Sequence, residues 1–372
     1  LRCGSRGRKA FFFEKKNQKT FVCWGGGCAD RVGSRARASR KSFLLLFFKK
    51  EELSVRLPEE FRVIARHFAG LAGPEGLGLL DDAAVFAPPA GRELVVSADC
   101  IVEGVHFLPG DPPETVGRKL LRVNLSDLAA MGAVPLHYLL TVSVPRETPA
   151  AWFAAFVAGL AGDQREFGIS LIGGDTTSTP GPISLSATVI GHVAPGAALR
   201  RAGARAGDGL WVTGTIGDGA LGLLAARGEI ADPDLYLSER YRLPRPRLGL
   251  RLAGIVNAAM DVSDGLVQDA GHLCRAAGLG AVIEVARLPL SAAARDARRL
   301  DVCLSGGDDY ELLLAVPAAN EAALQAECRR AAIPMTRIGR FDARVEGVRV
   351  VDAAGAEIVL PLGGWSHFQL RS

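Results

Sequence analysis

Lysine is nearly missing from this 372-residue chain once residue 50 is passed: seven lysines precede that point and Lys119 alone follows it. Residues 1–50 hold 14 Lys+Arg and 2 Asp+Glu, and the totals of 44 and 40 leave 30 basic and 38 acidic residues for the remainder. The formal charge of +4 is therefore a composite of +12 and −8. With an acidic main body, the basic pI is no argument for nucleic-acid binding, and no nucleic-acid partner is expected. Also absent is any run of about 18 apolar residues, so no helical membrane span is expected. Residues 43–48 are too short for one and run straight into Lys49, Lys50, Glu51 and Glu52. A soluble, cytoplasmic protein with no membrane partner is expected. Zinc spacing is missing too: the six histidines and seven cysteines are scattered. Cys23 and Cys28 have no second pair near them, and Cys100, Cys274, Cys303 and Cys328 read as reduced thiols.

Residues 1–50 open on Leu1 rather than Met and change composition abruptly at their end. They read as a disordered or artefactual basic extension, with a transit peptide and a genuine accessory segment as alternatives. The rest is rich in Gly and in apolar residues, as an α/β protein with many tight turns would be. Apolar spacing predicts a helix over Pro58–Gly70, a strand over Leu94–Ala98, a helix over Glu114–Met131 ended by Gly132, and a strand over Leu136–Val144. A helix over Ala150–Phe167 and strands over Ile169–Ile172 and Ile183–Val193 follow. Past residue 197 the pattern predicts a strand over Leu210–Thr213, helices over Gly219–Arg227 and Pro244–Ala259, and a helix opened by Asp261–Gly265. Strands over Gly280–Val285 and, after a Gly turn, up to Val316 complete it. Two halves are expected, 55–196 and 197–372, each mixing strands and helices.

The aspartates are concentrated where chemistry is usually placed. Asp81-Asp82, Asp99, Asp175, Asp261 with Asp264, and Asp308-Asp309 fall at expected strand ends, helix starts or Gly-flanked turns, and Asp127 falls inside a helix. One Asp beside Gly is most often a turn residue or an N-cap. So many separate clusters point instead to a multi-carboxylate site, and hard oxygen donors without His or Cys suit Mg²⁺ held partly by substrate phosphates. Gly173-Gly174-Asp175 offers backbone amides beside a carboxylate. Gly214–Gly219 resembles a phosphate-binding turn but lacks the Walker Lys-Ser/Thr pair, and it reads as structural. On the expected helix Asn124 and Asp127 share a face, with Lys119 roughly 80° round from Asp127. A lone lysine in an arginine-only background marks a site where a compact ammonium is wanted, or else chance retention.

The stretches Leu80–Ala84, Ser97–Asp99 through Gly104–Phe107, Val123–Ala133, Gly173–Thr177, Asp261–Leu266, Ser305–Leu312 and Gly364–Phe368 resemble the thiamine-monophosphate kinases, in the family's order and over about residues 58–372. The resemblance implies an α/β (α+β), two-domain fold like aminoimidazole ribonucleotide synthetase, each domain a mixed sheet packed with helices. It implies a homodimer built through the N-terminal, ATP- and Mg-binding domain. By position, Asp82, Ser97, Asp99, Asp127, Asp175, Asp261 and Asp264 would bind Mg²⁺, and Gly174, Arg201 and Ser263 would contact ATP. His106, Asp308 and Trp365 would contact thiamine phosphate, and Lys119 or Arg201 would offset phosphate repulsion. The family usually has Thr where Ala98 stands and often Glu where Asp308 stands. The implied reaction is in-line transfer of the ATP γ-phosphoryl group to thiamine phosphate. The alternatives are another ATP-using member of the superfamily, such as aminoimidazole ribonucleotide synthetase or selenophosphate synthetase, or a non-catalytic nucleotide-binding regulator.

Overall fold

The computed structural model describes residues 59–360 and 364–366. The expectation for residues 1–50 lies outside them. The first half builds a four-stranded sheet from β1 (Glu93–Val102), β2 (Val134–Val144), β3 (Ser170–Ser178) and β4 (Ser184–Val193), in the order β1-β4-β2-β3. β1 and β2 run antiparallel to β4, and β3 runs parallel to β2. Helix α1 (Glu59–Val63) is short and passes into a π-helical turn at Ile64–Phe68, where one long helix was expected. Helices α2 (Pro113–Ala130) and α3 (Ala150–Phe167) pack on each other, and α2 lies against β1 and β4. Alternation explains the sheet's two faces. Val95, Ile101, Tyr138, Leu140 and Val142 are buried in the cluster with α2 and α3 residues, while Leu94, Val96 and Leu139 remain exposed.

The second half builds a six-stranded mixed sheet in the order β10-β7-β9-β5-β8-β6. Its strands are β5 (Gly209–Thr213), β6 (Ala258–Asp261), β7 (Gly280–Glu284), β8 (Leu312–Val316), β9 (Met335–Asp342) and β10 (Val348–Val351). Around it lie α4 (Asp218–Ala226), α5 (Tyr236–Arg242) and α6 (Leu266–Ala277). The helix expected over Pro244–Ala259 does not form. Pro244 and Pro246 cannot donate to a helical ladder. The Pro244 and Gly249 carbonyls accept from Arg122 and Arg330, Arg247 is drawn to Glu311, and Ala258 and Ala259 enter β6 instead.

Helix α2 is the element shared by both halves. A surface helix carries one apolar stripe, yet α2 is buried nearly all round, with Lys119, Arg122, Asn124 and Ser126 among its buried residues. Its last turn, Ala129 and Ala130, packs with Leu312 and Leu314 of β8. Burial on both sides requires its polar side chains to find partners in each half, and those partners define the site.

Candidate active site

The site begins where α2 crosses β1. Ser97 Oγ donates to Asp127 Oδ2 at 2.6 Å, and the Asp99 backbone N–H donates to Asn124 Oδ1 at 2.8 Å. One turn of α2 thus presents Asn124 and Asp127 to the strand, as their spacing required. On the far side Ser126 Oγ donates to Asp261 Oδ2 at 2.7 Å, which brings the end of β6 to the same place. The following loop carries Ser263 and Asp264 into α6. It is held by Asp269, whose Oδ2 accepts the N–H groups of Ser263 and Asp264 at 3.0 Å and of Gly265 at 3.1 Å. Sequence reasoning missed Asp269. The available signal was an acidic side chain in the first turn of a helix entered through glycine, able to reach back to the orphan amides.

Four carboxylates from four elements therefore converge. Burial lifts the Asp99 carboxyl to about 6, and the charges of Asp127 and Asp264 add to the effect. Burial lifts Asp261 to about 7 with help from Asp127 and Asp99, opposed by the Ser126 hydrogen bond and by Arg201. Asp127 is also raised by burial, with Ser97 and Arg201 holding it down. Like charges gathered this closely repel, and a divalent cation with an oxygen preference would relieve them, so the donor set fits Mg²⁺. Among the described residues Asp264, Asp269 and His272 also bring ligand atoms within 4.8 Å of one another, though Asp269 Oδ2 already serves three amides.

Asp82, Gly174 and Asp175 form a second group. They line a cleft of about 520 Å³ with Asp81, Phe68, Phe86 and Leu139. The strand expected to end at Ile172 continues through Asp175 to Ser178, with Gly174 opposite Leu140 and Asp175 opposite Thr141. Gly174 has φ 151°, and a Cβ there would overlap the Leu140 carbonyl, so only glycine fits. β1 and β3 are opposite edges of the sheet, three strand spacings or roughly 14 Å apart, which separates Asp175 from Asp99.

The remaining expected residues surround the acidic centre. Arg201 is exposed and its charge reaches Asp127 and Asp261. The Ser263 carbonyl accepts the Asp308 N–H at 3.0 Å. His106 accepts the Val102 N–H on Nδ1 at 3.0 Å. Trp365 is 52% exposed, its N–H donating to the Asp264 carbonyl at 2.9 Å and its carbonyl accepting from Gln268 at 2.8 Å. Lys119 is buried and paired with Asp308 at 2.8 Å. Asp309 stands outside the site: its carboxyl is buried and accepts the N–H groups of Gly217 and Gly219 at 2.7 and 3.0 Å. The Gly214–Gly219 turn is thereby filled by an internal carboxylate, which makes it structural.

Comparison with known proteins decides the family. Residues 80–193 and 205–352 match the N-terminal and C-terminal domains of AIR synthase related proteins. The thiamine-monophosphate kinase of Caulobacter vibrioides is 44% identical over 323 residues, covering 83% of this chain and 91% of that one. The chain belongs to the thiamine-monophosphate kinase family. The crystal structure of the Stenotrophomonas maltophilia kinase is 43% identical and superposes with a TM-score of 0.68 over 73% of this chain and 89% of its own. A ThiL structure complexed with AMPPCP and TMP, 31% identical, covers 85% of this chain and 100% of its own with a TM-score of 0.66. Both domains of this kinase family are present, each a mixed sheet packed with helices.

Proposed function

We propose that this chain phosphorylates thiamine monophosphate with ATP, giving thiamine diphosphate and ADP. The observation that carries the reading is the convergence of Asp99, Asp127, Asp261 and Asp264 at the junction of the two halves, in a chain whose relative was solved with AMPPCP and TMP. A terminal phosphate oxygen of thiamine monophosphate attacks the γ-phosphorus in line, and the bond from that phosphorus to the β–γ bridging oxygen breaks as ADP leaves. The attacking oxygen is already ionised near neutral pH, so no strong general base is required. Catalysis is then positioning and charge stabilisation.

Mg²⁺ ions held at Ser97, Asp99, Asp127, Asp261 and Asp264, and at the separate group of Asp82 and Asp175, would neutralise the phosphate charge during transfer. Ser97 orients Asp127, while Ser263, Gly174 and Arg201 are read as the ATP contacts, and His106, Asp308 and Trp365 as the contacts to thiamine phosphate. The sheet face carrying exposed Leu94, Val96 and Leu139 supports a homodimer formed through the N-terminal domain. That half is read as 55–196 and the C-terminal half as 197–372. A cytoplasmic protein without a nucleic-acid or membrane partner completes the reading.

A coupled assay of the purified protein tests the reading. Turnover of thiamine phosphate and ATP is expected with Mg²⁺ and is expected to vanish in excess EDTA. Full activity in EDTA, or activity on aminoimidazole precursors with none on thiamine phosphate, would overturn it.

Trp365 supplies a second check. Thiamine combines a cationic thiazolium with a flat pyrimidine, and an indole face attracts both by about 0.5–2 kcal/mol. Its backbone is fastened beside Asp264 while the side chain stays half exposed, as a binding wall requires. Trp365→Ala is expected to raise the KM for thiamine phosphate several-fold and to leave the KM for ATP nearly unchanged. An equal rise in both, measured by initial rates, would make Trp365 a structural anchor.

A further inference from the structure

Lys119 is 2% exposed, and its ammonium has three partners. It donates to Asp308 Oδ2 at 2.8 Å and to the His106 carbonyl at 2.9 Å, and it lies 3.9 Å from the centroid of the Tyr241 ring. These partners come from both halves of the molecule. His106 follows β1, Tyr241 belongs to α5, and Asp308 precedes β8. An ammonium directs three N–H bonds along separate tetrahedral axes, whereas a guanidinium confines its donors to one plane. The arrangement therefore requires a lysine, in a body that otherwise uses arginine for every cation.

Asp308 needs such a partner. It sits at φ 71°, a left-handed conformation that few side chains adopt. Its N–H is tied to the Ser263 carbonyl at 3.0 Å, and its Oδ1 accepts from the Tyr310 hydroxyl at 3.3 Å. With Oδ2 on Lys119, every polar group of that side chain and its amide is oriented. The pair is also the direct polar link from α2 to the loop that bears Asp308.

We infer that Lys119 is a positioning residue for the thiamine phosphate site: it holds the His106 wall and the Asp308 wall at a fixed separation across the two halves. Its charge is spent on that tie rather than on the transferred phosphoryl group. The inference rests on the reading of His106 and Asp308 as thiamine phosphate contacts.

The experiment compares initial rates of the full chain with Lys119→Met, Asp308→Asn and the double variant, varying each substrate in turn. Lys119→Met is expected to raise the KM for thiamine phosphate about tenfold, with the KM for ATP within about twofold of the parent. Because both single changes break the same tie, the double variant is expected to fall well short of the product of their separate effects. Lys119→Arg, charged but planar, is expected not to restore the parent KM. Multiplying effects, restoration by Arg, or a common rise in both KM values would overturn the inference. Should Lys119→Met fail to fold because the part-buried Asp308 carboxylate loses its counter-charge, the double variant removes both charges and is compared with Asp308→Asn alone. Equal kcat in those two supports the positioning role, and a further large fall in kcat on losing Lys119 would assign it to the phosphoryl group instead. A parent protein inactive on thiamine phosphate would refute the functional reading itself, and this inference with it.

Discussion

Asp127→Asn is expected to lower kcat/KM for thiamine phosphate by about 10²–10³-fold, the range for removing one strong electrostatic contact to a transferring group, while the melting temperature of the metal-free protein holds or rises. The stability half follows from the sign of the perturbation. Burial raises the Asp127 carboxyl above its ordinary value, and its charge in turn helps to raise Asp99 and Asp261. A carboxyl that binds its proton more tightly folded than unfolded contributes stability below its unfolded value and loses it as pH rises from there through its folded one. At neutral pH the ionised Asp127 is therefore a cost to the apoprotein, and Asn removes it. Asn also keeps an oxygen that can accept from Ser97 Oγ, so the contact between α2 and β1 survives. What Asn cannot do is offer Mg²⁺ a charged oxygen, so the Mg²⁺ concentration for half-maximal rate should rise as well. Thermal unfolding without metal and rates across a Mg²⁺ series check both halves. Near-normal turnover would reduce Asp127 to a local hydrogen-bonding residue.

That Asp99, Asp127, Asp261 and Asp264 belong to one acidic centre was suggested in the chain only by number, because a single Asp beside Gly reads as a turn or a cap while so many clusters do not. Asn124 and Asp127 could be placed together by helical spacing alone, and both do meet β1. What the chain could not convey is pairing across distance. Lys119 stood out by its rarity, but its partner lies 189 residues away, in a loop that only the complete fold brings to α2. The same blindness misplaced Asp309, which sits beside Asp308 yet turns inward to the Gly217 and Gly219 amides. Adjacent residues in a loop point in different directions, and sequence gives no sign of which one faces the site. Pro244–Ala259 failed for a related reason: its apolar spacing suits a helix, while its carbonyls and Arg247 are claimed by side chains from elsewhere. Local propensity yields when tertiary hydrogen bonds compete for the same backbone.

Asp269 lies at the meeting point of these effects, since it touches no proposed substrate atom and still fixes the loop that carries two proposed site residues, Ser263 and Asp264. Its Oδ2 gathers three consecutive backbone amides, a carboxylate taking the place of the missing first-turn acceptors of α6. Removing it in Asp269→Ala leaves those amides to compete for water in a half-buried position. Each buried amide left unpaired costs about 1–3 kcal/mol, and partial solvent access at Ser263 and Asp264 puts the total at about 2–4 kcal/mol. About 1 kcal/mol moves Tm by roughly 2–4 °C in a body of about 150–250 residues and by somewhat less in a larger one, so a fall of roughly 3–10 °C is expected. Turnover should fall with it by about tenfold or more, because Ser263 and Asp264 lose their common brace and small displacements of charged ligands weigh heavily on rate. Asp269→Asn separates this role from metal ligation. Its side-chain oxygen can accept the same amides, so most of the stability and turnover should return. If Asn proves as damaging to turnover as Ala but leaves Tm at the parent value, the carboxylate charge is what matters, and Asp269 would join Asp264 and His272 as a ligand rather than the brace of the loop.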